Sequence, residues 1–510
     1  MTAVLTVLVL LPTAVAVSLL CLPRGTPRSV HVAWTATAVV ELALTATIWL
    51  RHPAGGGLSH QERARWLPSV GAGYHVGVDG LSLPLVAMSC VLFLACALYT
   101  WRQTDRVREF AVLFLFLQST SLGLFVALDL ILFFLFFDLS LVAMYFVIAG
   151  WGHRDAARSA LLFFLYTFTG SLALLLGFIG LYLAADPHTF DIVELTRDDP
   201  LAGRTTHGAL VLLAVGVGLA IKTPTVPFHT WLPPAHTDAP AAGSAVLAGV
   251  LLKMGTYGFL RIAMPVMPGA WRGAAVVFVV VGVVSVVYGA LVAFAQTDFK
   301  RMVAYTSVNH MGYIVLAVGA AGTLGGDGPA GDRARHLAVT GSVFQMVSHG
   351  LLTGALFLLC GVLYERGGTH RTAAYSGVAH RAPVFAALTG VAAFASLGLP
   401  GFSGFIAEFQ ILTGSLGPQP VATGLALLGV LLTAALLLRA VRQVFTGPLR
   451  LPPTGPGQAT TTRSFPDLAW HETASLTPLL ALAVVLGLLP RFVLDVIEPA
   501  SLGVLRLLAR

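Results

Sequence analysis

Residues 207–263 read HGALVLLAVGVGLAIKTPTVPFHTWLPPAHTDAPAAGSAVLAGVLLKMGTYGFLRIA, and this stretch decides the fold. It holds two apolar runs, near 207–231 and 240–263. Each is long enough to cross hydrocarbon as a helix, which takes roughly 20 residues. Each also carries a lysine far from its ends, Lys222 and Lys253. The first run is interrupted at Ile221-Lys222-Thr223-Pro224-Thr225-Val226-Pro227. Pro224 and Pro227 supply no N–H and clash with the carbonyls of Ala220 and Thr223, so an intact helix cannot run through. A broken helix in hydrocarbon is tolerated only where it is buried in protein or lines a cavity.

Outward from this stretch the pattern repeats. Further apolar runs lie near 2–20, 30–50, 80–100, 108–127, 129–149, 159–184, 271–296, 301–321, 336–364, 383–415, 420–445 and 474–494, giving about 14 spans. Of the 510 residues 56% are hydrophobic and 10% charged, with mean hydropathy +0.84. Soluble domains run near 25% charged, so this composition cannot cover a water-facing surface. A soluble enzyme, a nucleic-acid binder and a disordered chain are excluded. The expected class is an all-α polytopic membrane protein. The net charge of +7 is scattered between apolar blocks and reads as topological charge. Cys21, Cys90, Cys96 and Cys360 form no C-x-x-C or Cys/His set, so neither an iron–sulfur cluster nor a structural zinc is expected. Residues 2–20 lack a charged leading segment and read as a retained first span. An even span count puts both termini on one side. A weak excess of Lys and Arg in the loop set beginning at Arg24 and Arg28 favours the outside.

A second break, Leu399-Pro400-Gly401, falls inside the run 383–415. The breaks lie in spans 7 and 12, five apart. A five-helix unit ends on the side opposite its start, so units 4–8 and 9–13 are expected to be inverted repeats, a pattern of transporters. The organisation expected is one transmembrane domain over 1–510. It divides into N-terminal helices 1–3 (1–107), a first repeat (108–263), a second repeat (271–445), and a linker with a C-terminal helix (446–510).

Several ionisable groups sit at membrane depth. Lys222 lies roughly 22 Å into its run and Lys253 roughly 20 Å, at 1.5 Å per residue. Asp138 interrupts a phenylalanine-rich run midway, His310 and His349 fall within spans 10 and 11, and Glu408 follows the second break. Lys300, beside Arg301, reads as a boundary residue. One charge at a helix centre costs about 2.5–3.5 kcal/mol on insertion scales. Six such groups on six helices are either structural ion pairs or a chain of protonatable groups parallel to the membrane. The second reading suits proton movement. A carboxylate switching towards or away from Lys222 would load or unload its proton, carbonyls freed by Pro224 and Pro227 would complement its charge, and a neutral histidine passes a proton on either nitrogen. No phosphate loop and no nucleophile–base motif is present.

The stretch from Lys222 to Arg261, together with AQTDFKRMVAYTSVNHMGY at 295–313, resembles the antiporter-like membrane subunits of respiratory complex I, the proton-pumping NADH:quinone oxidoreductase. AAGSAVLAGVLLKMGTYG resembles their M-type chains more narrowly, while the general pattern is shared with L-type and N-type chains and with Mrp-type cation/proton antiporters. The resemblance implies fourteen transmembrane helices with helices 7 and 12 broken. It gives Asp138 the place of a helix-5 glutamate, Lys222 and Lys253 those of the helix-7 and helix-8 lysines, and Glu408 that of an exit residue. His310 and His349 match central-axis histidines. Three positions differ: Asp138 is one methylene shorter than the usual glutamate, Trp231-Leu232-Pro233 is followed by Pro234 rather than Asp, and Ala143 replaces a proline. The shorter acid leads us to expect a water between Asp138 and Lys222. No cofactor is implied in this chain; NADH, FMN, iron–sulfur clusters and quinone belong to other subunits. The implied partners are other complex I membrane subunits, the L-type and N-type chains above all, within the lipid of a bacterial inner membrane. A subunit of an Mrp-type Na⁺/H⁺ antiporter, or a spacer with an inactive channel, are the rival readings.

Overall fold

A computed structural model describes residues 3–21, 26–53, 55–323, 328–452 and 465–509. Arg24 and residues 453–464 of the expected linker lie outside the described residues. The chain opens with α1 (Val4–Cys21) and α2 (Pro27–Leu50), then an antiparallel hairpin of β1 (Ser59–Leu67) and β2 (Ala72–Val78). Next come α3 (Leu83–Tyr99), α4 (Val107–Val126), α5 (Leu130–Trp151), α6 (Ala156–Ala184), the short α7 (Ile192–Asp198), α8 (Thr205–Lys222) and the short α9 (Leu232–Asp238). They are followed by α10 (Ala241–Val266), α11 (Pro268–Phe294), α12 (Phe299–Gly322) and α13 (Pro329–Gly367). The chain closes with α14 (Pro383–Ser396), α15 (Ser403–Leu416), α16 (Pro420–Phe445), α17 (Trp470–Leu488) and α18 (Arg491–Leu508).

Twelve described helices are long and apolar enough to cross a membrane. The expected fourteen is reached only by adding α12, whose polar residues take it outside that criterion, and the broken pair α14 and α15. Both breaks fall where the prolines place them. α8 stops at Lys222 and the chain resumes as α9; α14 stops at Ser396 and α15 starts at Ser403. Gly398 (φ +76°) and Gly401 (φ +99°) take left-handed backbone in the second break, which residues with a Cβ rarely adopt.

Burial sorts the helices. α10 and α13 are enclosed by other helices almost throughout, and α12 is buried along nearly its whole length. Outer helices present apolar side chains outward, as at Leu176, Val277 and Leu431. α11 and α12 approach closely because glycines face one another: a Cβ on Gly282 or Gly312 would lie under 3 Å from the partner backbone. The innermost helices are therefore those that carry Lys253, His310 and His349.

Three features depart from the sequence reading. The expected all-α class holds, and beside the helices the chain carries one hairpin that the sequence reading did not foresee, where Gly71 takes left-handed backbone and turns two short alternating segments back on each other. The last span ends at Leu488, since Pro490 cannot continue it. A further amphipathic helix, α18, then packs against α13 and α10. Lys300, expected at a boundary, is buried and donates from Nζ to the carbonyl of Ala239 at 2.5 Å.

The hairpin fixes the start of α5. Asp129 caps that helix, accepting from the main-chain N–H of Ile131 and Leu132 and also of Gly73 on β2. Burial pushes the Asp129 carboxyl up to about 6 against those donors. Asp191 forms an isolated bridge with Asp129, and its Oδ2 lies 2.7 Å from His75 Nδ1 and 3.7 Å from Arg63. Burial opposes its ionisation, but the His75 hydrogen bond and the nearby positive charge hold Asp191 below the usual carboxylate range.

Candidate functional site

Four of the six expected residues lie side by side in series. Two wide turns of π-helical geometry, Leu247–Leu251 and Phe259–Ala263, flank Lys253 on α10. Such turns free main-chain carbonyls and concentrate at functional sites. Lys253 Nζ donates to the carbonyl of Ala248 at 2.6 Å and lies 2.7 Å from His349 Nδ1 on α13. The His349 and His310 rings meet edge to face at 5.2 Å. His310 Nε2, on α12, is 3.8 Å from Glu408 Oε1 on α15. All four side chains are buried. Between the histidines and Glu408 lies a cavity of about 10 Å³, bordered by Gln345, Ser348, Thr353 and Ser396. That is the space of a single water with several polar neighbours. A hydrogen bond of 2.8 Å between Ser348 and Ser403 ties α13 to the first turn of α15.

Asp138 and Lys222 stand apart from this chain and from each other. Lys222 Nζ donates to Ser140 Oγ at 3.3 Å and lies 4.6 Å over the Phe137 ring. Among the described residues no ion pair within 4.0 Å joins it to Asp138, whose Oδ1 has no partner. Asp138 is half-buried on α5. The carbonyls expected to complement Lys222 are already engaged. Ala220 O accepts from Thr225 N–H, Ile221 O from Trp231 Nε1–H and Leu219 O from Thr223 N–H. The step from Lys222 to Lys253 passes Ser140, whose hydroxyl donates to the carbonyl of Phe137 at 2.6 Å and lies 3.6 Å from Met254 Sδ. Among the described residues no hydrogen bond links the two lysines.

Two further groups belong to this neighbourhood. His236 on α9 is fully buried, stacks on Phe357 at 4.5 Å, and neither ring nitrogen has a partner among the described residues. Lys300 joins α12 to the end of α9 through Ala239. Both fell outside the depth argument because His236 sits in a connection between runs and Lys300 at the edge of one. The signal available was their position beside the broken helix. Structural ion pairs are present too, near the helix ends: Arg261 with Asp79 and Arg366 with Glu472.

A larger cavity of about 730 Å³ lies between α8 and α11, reaching Ala220 and Thr225 beside the first break. Its wall is mainly glycine, alanine, valine and phenylalanine, with Asp199 and Arg204 at the mouth. It lacks the converging polar groups of the chain above, so it is not the candidate site. Among the described residues no group of three His, Cys, Asp or Glu is arranged to hold a metal.

A family profile described as "NADH:quinone oxidoreductase/Mrp antiporter, TM" matches residues 127–433. NADH-quinone oxidoreductase subunit M of Rhodobacter capsulatus is 38% identical over 97% of this chain and 95% of its own. That of Rickettsia prowazekii (strain Madrid E) is 39% identical over 85% of this chain and 84% of its own. A chain of respiratory complex I from Thermus thermophilus with bound NADH superposes with TM-score 0.86 at 30% identity, covering 99% of this chain and all of that one. A chain of the Mrp complex from Dietzia sp. DQ12-45-1b has TM-score 0.83 at 23% identity over 99% of this chain and 98% of that one, which shows a shared fold.

Proposed function

The chain belongs to the family of antiporter-like membrane subunits shared by NADH:quinone oxidoreductases and Mrp antiporters, and from that premise we propose that it moves protons through the Lys253–His349–His310–Glu408 chain. It is a membrane subunit of a complex I-type NADH-quinone oxidoreductase and acts with the other subunits of that complex. The observation that carries the proton reading is the series of four buried side chains, Lys253, His349, His310 and Glu408, on four helices, with one water-sized space beside the histidines and Glu408.

In this reading the chain performs no redox step. Electron transfer in other subunits, which hold NADH, FMN, iron–sulfur clusters and quinone, alters the charge around Asp138 and Lys222. With Lys222 resting on Ser140 and Phe137, the pair is open; closure on Asp138 withdraws or restores a positive charge one helix from Lys253. Lys253 answers by giving its proton to His349 or recovering it. His310 and the enclosed water pass the proton on, and Glu408 beside the second break releases it. The adjacent partners are L-type and N-type chains, the membrane is a bacterial inner membrane, and both termini face outside.

The test is Glu408→Gln in the assembled complex, with quinone reduction and proton uptake followed together in membrane vesicles. Loss of proton uptake per quinone reduced supports the reading. An unchanged ratio in an assembled complex overturns it, and a sodium requirement for that ratio would favour cation exchange.

A further inference from the structure

Glu41, in the interior of α2, is fully buried, and neither carboxyl oxygen has a partner among the described residues. Other enclosed acids are matched. Asp79 meets Arg261, Glu472 meets Arg366, Glu365 accepts from Tyr99 and Glu408 faces His310. Around Glu41 the packed helices are α1, α3 and α4. α1 contributes no ionisable group but Cys21 at its exposed end; α3 contributes Cys90, whose Sγ lies 3.3 Å from Thr45 Oγ1, while its Cys96 turns to the carbonyl of Ala242 and its Tyr99 to Glu365. On α4 the charges, Arg108 and Glu109, sit in the first turn, and Arg108 is bound to the carbonyl of Leu20. On α2 itself His31, near the helix start, contacts Gln103 O at 3.0 Å. No lysine or arginine lies level with Glu41 on these helices. An ionised carboxylate without a counter-charge is strongly disfavoured in such a place.

Helical geometry turns two more orphaned groups, on α4, towards α2. The Trp34 ring packs on Phe110 and Phe114 of α4, with centroids 6.0 and 5.2 Å apart. Spans alternate in direction, so α2 and α4 run the same way. Seven residues are close to two turns, so Glu41 lies on the Trp34 face of α2, and Ser121 on the Phe114 face of α4. Gln118, one turn after Phe114, is on that face too. Gln118 and Ser121 are fully buried, and Gln118 Oε1, Gln118 Nε2 and Ser121 Oγ have no partner among the described residues.

We propose that Glu41, Gln118 and Ser121 form a second proton-binding site, off the central chain, in which Glu41 carries a proton and pairs reciprocally with Gln118. The protonated acid donates to Gln118 Oε1, and Gln118 Nε2–H donates to the other acid oxygen. An ionised carboxylate has no hydrogen for Gln118 Oε1, so the proton completes the set. Ser121 adds one more donor. α3 walls the site from Lys253: its Met88 and Leu92 fill the space against Gly350 and Gly249 on α13 and α10. The site therefore holds its proton independently of the relay, and its test does not depend on the relay being correct.

The experiment is infrared difference spectroscopy on the assembled complex in lipid at neutral pH, wild type against E41Q and against the exchange E41Q/Q118E. The neutral acid resembles an amide in shape and charge, so E41Q assembles at wild-type yield and its spectrum lacks one carboxylic-acid C=O band. The exchange variant regains a band of that class, because it rebuilds an acid–amide pair with the positions reversed. Loss of an ionised-carboxylate band instead, or failure of E41Q to assemble while the exchange variant restores only a carboxylate signal, overturns the proposal.

Discussion

Lys253 makes two short contacts, to Ala248 O and His349 Nδ1, that its substitutes reproduce to different degrees. Lys253→Met removes the charge and leaves His349 without that donor, and proton translocation should fall to background in an assembled complex. Lys253→Arg keeps a charge that hardly leaves in proteins, so it should also fail, at proton release. Proton uptake in vesicles checks both. At Lys222 the hydrogen bond to Ser140 holds the pair open. A hydrogen bond to a charged group is worth about 1.5–3 kcal/mol, so Ser140→Ala should shift Lys222 towards Asp138 by about tenfold or more. Coupled turnover should drop, while Asp138→Asn, which removes the switching charge, should abolish it. Wild-type coupling in Asp138→Asn would make that acid structural. The six expected residues were legible because a charge in an apolar run carries a cost that needs a reason. Glu41, within the run 30–50, has the same signal but no counterpart in the family resemblance, and only packing singles it out. His236 sits in a connection, where depth arithmetic does not reach.

Prolines made both helix breaks readable to within a few residues, since a missing N–H and a ring clash act locally. Gly398 shows what the second break needs: its Cβ would lie 2.5 Å from Glu408 Oε2, on left-handed backbone. Gly398→Ala should cost more than about 1 kcal/mol in stability and displace Glu408, lowering proton uptake more than quinone reduction. Equal loss of both would place the effect on assembly. The hairpin was not legible, because its short segments alternate weakly between two much stronger helical signals. Its anchor to α5 is testable through pH. Asp191 is held below the usual carboxylate range, so its stabilisation is complete above about 4, the unfolded value, and is lost as pH falls through the lower folded value. Asp191→Asn should therefore loosen the hairpin at neutral pH and make no further difference in strong acid. Hydrogen exchange at Tyr74 and His75 reads this directly, and equal protection in both proteins at neutral pH would contradict it.

Taken whole, the chain places Lys253, His310 and His349 on the helices most enclosed by others, while α5, α8 and α15, which carry Asp138, Lys222 and Glu408, also present apolar side chains outward, as at Phe146, Leu213 and Phe409. Composition and run length gave the class of fold because hydrocarbon allows few solutions. They could not give which helix packs on which, a matter of side-chain shape such as the glycine contacts of α11 and α12. Nor could they show that Asp138 and Lys222 stand open while Lys253, His349, His310 and Glu408 lie side by side in series. That asymmetry is the centre of the proposed account, in which one half of the molecule switches and the other conducts. The most direct test is the ratio of protons taken up to quinone reduced, in vesicles carrying the intact complex with His349→Leu. The substitution interrupts the conducting half and leaves Asp138, Lys222 and Ser140 in place. The account requires the ratio to fall with the complex assembled; the wild-type ratio in that variant would contradict it.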